Sequence, residues 1–472
     1  LKTDYLDITG DVELEEALIK SGTITLFDEA KSTFRYQRES SNLGKLSIPT
    51  LRLKQDNFDF EIYDVAFAVS SGSPDSLVAG QIKSAQVSNI IQFMDFAAER
   101  KFVPNGILKS LSQTSPKGEL RDINFTSGLD GGLHLACNFF DLSLDTDLKL
   151  PSVNQISGFM SFQPDRGYLD FDSDEFQIHF KHLFDSPWKF DSGRGRLAYR
   201  VSDDKVSLTS GLIELLDNGM SAYGKLVMHF PPNRELRTWG LTIGVLNLDL
   251  KKASGFVPKS APEKFRSWLK SSIRSGQANE AGVTIHGVLS GESPAVRKAH
   301  DLYVKVENSE IQYHAEWPPA KEVSGTIRFD NYKVKSNRLS GKVYSSKIEN
   351  AELTMTIPDS GEAQSISLSA GLKGPLDDAL RVIKETPLSD ATSRVANQWS
   401  ALGDMQAKIA LQIPIGSEEK KSVRTSASVK MQAAVLEMSD AGLSISDLVG
   451  ELRYQNEMGL TSDKFTGTIL GG

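Results

Sequence analysis

At 472 residues the chain is too long for one compact core, yet no Pro/Gly/Ser linker or run of like charge divides it, so an elongated body is expected. Hydrophobic residues make up 39% and charged residues 24%, and no run of about 18 apolar residues is long enough to cross a bilayer as a helix. A net charge of −8 without any basic stripe argues against a nucleic-acid partner.

In chain order, the first helical pattern is 87–100, with Val87, Ile90, Ile91, Met94 and Ala97 on one stripe. Cys137, the single cysteine, sits in an alternating strand pattern and reads as a buried, inert thiol. A short cassette then begins to recur: glycine, any residue, an aliphatic or Met, any residue, an aromatic. Its copies are Gly158-Met160-Phe162, Gly195-Leu197-Tyr199, Gly325-Ile327-Phe329 and Gly450-Leu452-Tyr454. The period of two puts the last two cassette residues on one strand face. Each cassette is read as the start of a strand.

Turn signals at 163–167 and at Asp217, Asn218 and Gly219 suit hairpin reversal, so the sheet is expected to be mostly antiparallel. A second helix is predicted over 261–273, with Ser260 as N-cap, Pro262 in the first turn, and Phe265, Trp268, Leu269 and Ile273 on its apolar stripe. Val304 and Lys305 recur 125 positions later as Val429 and Lys430, and Leu339-Ser340-Gly341 answers Phe465-Thr466-Gly467, so the last two cassettes belong to an internal repeat. Alternating rows follow: Ala351, Leu353, Met355 and Ile357; Ile366, Leu368 and Ala370; Ile409, Leu411, Ile413 and Ile415. Between them a helical pattern over 376–399 is interrupted at Pro387, which should split it in two. The expected segments are 1–125, 126–258, 259–372 and 373–472.

Catalytic and metal chemistry find no support in the residues. His179 and His182 have no nearby cysteine and read as a solvated strand end, and phosphate-loop, dinucleotide and nucleophile-elbow motifs are missing. Asp203-Asp204 reads as a turn, and Asp377-Asp378 as acids that complement a helix dipole or face water. No enzyme activity, cofactor or metal is expected. Three short helices are too few to cover so many one-sided strands, and an apolar face left in water costs about 25 cal/mol per Å². Either a second sheet covers that face, as in a sandwich, or a lipid covers it in a curved groove; periodicity alone does not choose.

Several stretches carry a resemblance. They are Pro262, Phe265, Arg266, Trp268 and Leu269 followed by Gly276, Gly282, Ile285 and Gly287; Tyr313, Trp317, Pro318 and Pro319 running into Val323, Gly325, Ile327 and Phe329; and Lys373, Gly374, Pro375 and Leu376 with Thr386, Pro387, Leu388, Trp399 and Ile409 to Ile415. Ser115, Pro116, Gly118 and Leu120 add an earlier element. In this order and spacing, over roughly 100–472, they resemble the AsmA-like family of Gram-negative bacteria, and within it the YhdP branch. The resemblance implies a mainly β fold, an elongated, strongly twisted antiparallel sheet curled into an open hydrophobic groove (a repeating β-groove) with a few short helices. It also implies movement of phospholipids between inner and outer membrane, a periplasmic location and an inner-membrane anchor; the chain is then expected to be an internal fragment that contacts both membranes through parts lying outside it.

On that reading phospholipid acyl chains are the partners. The groove wall is assigned to Met160, Phe162, Leu197, Tyr199, Ile327, Phe329, Leu353, Met355, Ile357, Ile409, Leu411 and Ile413. Trp268, Leu269 and the 376–399 helices either plug or flank the groove or serve as packing anchors, the second being the favoured reading. The competing reading is a structural or adhesive β-rod with a closed core. An outer-membrane barrel ranks last, because the 11 tyrosines and 5 tryptophans are not paired at strand ends.

Overall fold

The computed structural model describes residues 6–17, 27–40, 43–55, 58–70, 78–91, 115–127, 132–146, 151–202, 204–288, 298–330, 333–356, 365–391, 395–414, 423–456 and 458–470. The chain packs as two units, residues 1–218 with 223–239 and residues 219–222 with 240–472. The first carries β1 (Leu6–Ala17), β2 (Phe27–Ser40), β3 (Leu43–Gln55), β4 (Phe58–Ser70), β5 (Val78–Gln86), β6 (Lys117–Ser127), β7 (Leu133–Leu144), β8 (Ser152–Phe162), β9 (Arg166–His179), β10 (Trp188–Ser202), β11 (Lys205–Ser210) and β12 (Ile213–Asp217). From β1 to β10 each strand pairs antiparallel with the next. The free edge of β10 is then shared, with β12 along 192–194 and β11 along 197–202.

β13 (Met220–Phe230) and β14 (Thr238–Asp249) follow in the chain. The second unit continues with α1 (Glu263–Ser272), β15 (Ile273–Val288), β16 (Lys298–Ile311), β17 (Ala320–Asp330), β18 (Lys333–Val343), β19 (Ser346–Thr356), β20 (Ser365–Pro375), α2 (Leu376–Glu385), α3 (Leu388–Ala391), β21 (Trp399–Leu402), β22 (Asp404–Pro414), β23 (Arg424–Met438), β24 (Leu443–Gln455) and β25 (Gly459–Leu470). Pairing is again antiparallel between chain neighbours. The exception lies around β21, where β20 pairs with β22 and β23 takes both β21 and β22.

One local device repeats through both units. Within a strand a single residue adopts a left-handed backbone: Asp122, Asp141 and Gln155 in the first unit, and Asn308, Glu322, Arg338, Asn350, Ala433 and Asp447 in the second. Each coincides with a register shift in a ladder its strand makes. These are β-bulges, which bend a strand and increase its twist. They also slip the side-chain alternation by one residue. In β19 the residues turned away from water are Ile348 before Asn350 and Ala351, Leu353 and Met355 after it. The slip keeps both halves of the bent strand facing inward, which strict alternation would not do.

The opposite face is polar, and cross-strand ion pairs lie on it: Arg196–Asp170 in the first unit, and Arg328–Asp301, Lys342–Glu322 and Lys373–Glu349 in the second. Exposed pairs of this kind are worth about 0–1 kcal/mol each, so they specify register more than they stabilise it.

The cassettes are not strand starts. Gly158, Gly195, Gly325 and Gly450 each lie inside a strand, where the glycine answers a crowding problem, at a bulge for all but Gly195. A Cβ on Gly158 would sit 2.8 Å from the Phe139 ring, one on Gly325 2.6 Å from Leu339, one on Gly450 2.5 Å from the Phe465 ring, and one on Gly195 2.9 Å from Ile213. A large neighbour fills the space above every cassette glycine. The 125-residue repeat is structural as well, since Val304 and Val306 face Ile327 and Gly325 just as Val429 and Met431 face Leu452 and Gly450.

Three further readings change. Pro262, not Ser260, is the N-cap residue of α1, and its fixed φ of −51° leads directly into the helix. The pattern over 376–399 does split at Pro387, but Trp399 opens β21, where it pairs with Met438. Residues 87–91 form a helical turn whose Ile90 packs on the first unit's core, while 92–100 and Ile415 lie outside the described residues.

The left-handed position in β19 supplies a test. Asn350→Gly should leave stability nearly unchanged, whereas Asn350→Val should lower it by about 1–2 kcal/mol, because a β-branched residue resists a positive φ. Denaturant unfolding of the two variants checks this.

Candidate functional site

The apolar inner face is where the expected site residues lie. In the first unit, Met160 of β8 pairs with Leu169 and Leu169 with Leu197, making one row across three strands. Phe162 pairs with Gly167 and Gly167 with Tyr199. With no side chain at Gly167, the Phe162 and Tyr199 rings meet over it at 6.0 Å. The Tyr199 hydroxyl donates to the Gln163 carbonyl, and burial raises its pKa. Met160 packs on the cluster of Ile62, Val65, Ala85, Ile123 and Cys137. Towards the strand ends the same face is open, with Phe162 42%, Val201 40% and Val206 38% exposed.

In the second unit the register aligns three rows that run across the strands. One reads Val304, Ile327, Ser336, Leu353, Leu368, Leu411, Thr425; the next reads Leu302, Phe329, Val334, Met355, Ile366, Ile413. The third reads Ala370, Ile409, Ala427, Tyr454, Leu460. Seven predicted wall residues therefore fall in adjacent rows: Ile327, Phe329, Leu353, Met355, Ile409, Leu411 and Ile413. Ile357 lies outside the described residues. Ser336 and Thr425 are the polar members of the first row, and their hydroxyl oxygens are buried without a hydrogen-bond partner.

Part of this face carries a protein roof. Phe265 and Trp268 of α1, Tyr313 and Trp317, Val382 of α2 and Leu388 of α3 pack on the cluster that holds Val334, Met355, Ile366, Leu411 and Ile413. Phe265 meets Phe329 edge-on at 6.4 Å, and Trp268 Nε1 donates to the Tyr313 carbonyl at 3.2 Å. Burial raises the Tyr313 pKa. Met355, Leu411 and Ile413 are buried, whereas Ile327, Phe329, Leu353 and Ile409 are half-buried.

Helix α2 runs on from β20 and lies over the third row. Leu376 and Leu380 are buried with Ala401, Met405, Ala407, Met431, Ala434 and Leu448. Asp378 does not face water. Its carboxylate is buried and accepts from the Ser345 amide at 3.1 Å, the Ser345 hydroxyl at 2.8 Å and the Ser346 hydroxyl at 2.7 Å, because the turn between β18 and β19 presents all three donors to it. At the other end the Tyr344 hydroxyl donates to Glu385 at 2.6 Å, Arg381 lies over the Tyr344 ring at 3.8 Å, and Lys384 donates to the Trp399 carbonyl at 2.6 Å. The Tyr344 hydrogen bond and then Arg381 hold the Glu385 carboxyl below its usual range, while burial and Glu385 raise the Tyr344 phenol.

Beneath α2 is a cavity of about 140 Å³ whose exposed lining is almost wholly apolar, formed by Leu380, Val382 and Ile383 above and Met405, Ala407, Ile409, Ala427, Val429 and Leu452 below. An enclosed void of that size would cost about 3 kcal/mol at roughly 24 cal/mol per Å³. The sequence missed this site, because Ala407, Ala427 and Val429 look like ordinary strand residues. It also missed Val334, the one apolar residue in a lysine-rich stretch; only the slip at Arg338 places it in line with Met355.

Among the described residues, no group of three or more His, Cys, Asp or Glu is placed to hold a metal, and no helix is long and apolar enough to cross a membrane, which says nothing of a β-barrel. Comparison with known proteins gives two findings. A sequence model of the family described as "YhdP protein" matches residues 3–472. A protein of Escherichia coli (strain K12), named as an intermembrane phospholipid transporter YhdP, is 21% identical over 318 residues, which is 65% of this chain and 24% of that protein. The matched region thus spans about a quarter of that relative's length.

Two outcomes follow from the site's electrostatics. Burial pushes the Cys137 thiol up to about 11, so its alkylation at pH 8 should be at least about tenfold slower in the folded chain than in urea. Glu385 has a folded pKa below its ordinary 4.5, so its contribution is present above that value and lost as pH falls through the lowered one. Hydrogen-exchange protection of α2, corrected for intrinsic rates, should drop in acid, and Glu385→Gln should remove that dependence.

Proposed function

This chain belongs to the YhdP family, and from that premise we propose that it is a lipid-conducting segment of a longer, inner-membrane-anchored protein that spans the periplasm. That protein moves phospholipids between inner and outer membrane. The acyl chains travel along the apolar inner face, and the head groups stay at its polar edge. The wall residues are Met160, Phe162, Leu197, Tyr199, Ile327, Phe329, Leu353, Met355, Ile409, Leu411 and Ile413, together with Ile357.

The observation that carries this reading is the alignment of apolar side chains into rows perpendicular to the strands. A hydrocarbon chain moving along such a row meets a new rung about every 4.8 Å and never has to enter water. The need is large: a phospholipid with about 30 chain methylenes loses on the order of 24 kcal/mol if fully hydrated, at about 0.8 kcal/mol per methylene. The exposure of Phe162, Val201 and Val206 favours an open face over a closed rod, whose core would bury them. The Escherichia coli relative's name supports lipid as the cargo.

The purified chain should retain phospholipid detectable by native mass spectrometry. Ile327→Glu and Leu353→Glu should each abolish retention while strand content by circular dichroism is kept. A lipid-free preparation of the folded chain would overturn the reading.

A further inference from the structure

The cavity under α2 is a feature that a simple conduit does not require. It opens from the third row, because Ile409 and Ala427 belong both to that row and to the cavity lining. Its roof packs on the sheet through Leu376, Leu380, Val382 and Ile383 and is also tied by polar groups at both ends. The Asp378 carboxylate ties the first turn of α2 to Ser345 and Ser346, and Tyr344, Arg381, Glu385 and Lys384 tie the last turn. Between these ties, Leu380 and Ile383 pack on the sheet and also line the cavity.

The lining also restricts what enters. Its polar members at the border are engaged with one another: Ser346 with Asp378, Tyr344 with Glu385, and Arg453 with Glu451 and Asp463. Of the lining's polar groups only the Tyr454 hydroxyl is without such a partner among the described residues, so the lining offers little to a head group, an ester or a sugar. The volume, about 140 Å³, matches engineered apolar cavities of roughly 150 Å³ that take up a six-carbon ring.

We propose that this cavity binds the methyl-terminal end, about six carbons, of one lipid acyl chain, with α2 as its tethered roof. The site makes this position a holding point rather than a stretch of uniform wall. Here the chain end leaves the row at Ile409 and turns under Leu380 and Ile383. The proposal rests on the lipid-conducting reading.

The test uses the whole chain and two phospholipid probes, one with a photoreactive diazirine at the acyl terminus and one with it beside the glycerol ester. Labelled residues are mapped by mass spectrometry. The terminal probe should label α2 and β22–β23, Ile383 and Ala427 above all, at least threefold more than the ester-proximal probe does. Both probes should label the row of Ile327 and Leu353. Ala427→Leu, or Val429→Phe if the first variant misfolds, should cut labelling of α2 at least threefold and leave the Leu353 row unchanged.

Labelling of the Leu353 row without α2 would overturn the cavity site while leaving the conduit reading intact. Absence of labelling everywhere would overturn both. Undiminished α2 labelling in a folded, cavity-filled variant would reduce the cavity to a packing defect.

Discussion

Where a strand bends in this protein, one residue takes a left-handed backbone and the side-chain alternation slips by one. That slip is the constraint on which the rest depends. A strand of 11 to 16 residues bent at its middle without it would show apolar residues to one side along one half and to the other side along the other half. Asn, Asp, Glu and Gln supply most of these positions, the short Asn and Asp side chains bearing a positive φ at lower cost than β-branched ones. Gly158, Gly325 and Gly450 lie beside bends, where the bent ladder presses Phe139, Leu339 and Phe465 over them.

Once every strand keeps its apolar side inward, the sheet acquires a face that must be covered. In the second unit part of the cover is protein: α1 with its Phe265 and Trp268, then Tyr313 and Trp317, then α2. Aromatic residues dominate the first part of that roof and pack closely on Phe329 and Val334. The roof over Ile409 and Ala427 leaves a cavity beneath it and is tied by charged and hydroxyl groups at its ends. In the first unit the inner face towards the Phe162 end is left exposed. The outer face carries charge pairs, polar side chains and aromatics such as Phe159, Tyr168 and Tyr303 that stack with one another or engage charged neighbours.

Much of the architecture was legible along the chain. Period-two rows such as Leu353 and Met355, or Ile409, Leu411 and Ile413, announced half-buried strands, and the split of a helix at Pro387 followed from the missing amide. The cassette identified residues that do share a face, but it misplaced the strand start. A glycine within a run of alternating residues looks the same whether it opens a strand or makes room at a bend. Asp378 does lie in a first helical turn, as one of the two readings of it requires, but nothing local signals that a turn 33 residues earlier brings two serine hydroxyls and an amide to it.

By itself the sequence determined that this is a one-faced β protein with few helices and a family resemblance spread over most of its length, because alternation and motif order are local properties of the chain. Only the tertiary structure decided which residues stand in the same row, which of them lie under α1 and α2, and where a cavity remains. Those outcomes depend on cross-strand register and on bulges at Asp141, Asn350 or Asp447. A shift of a single residue there exchanges the two faces for half a strand, and no period read along one strand reports what its neighbour does.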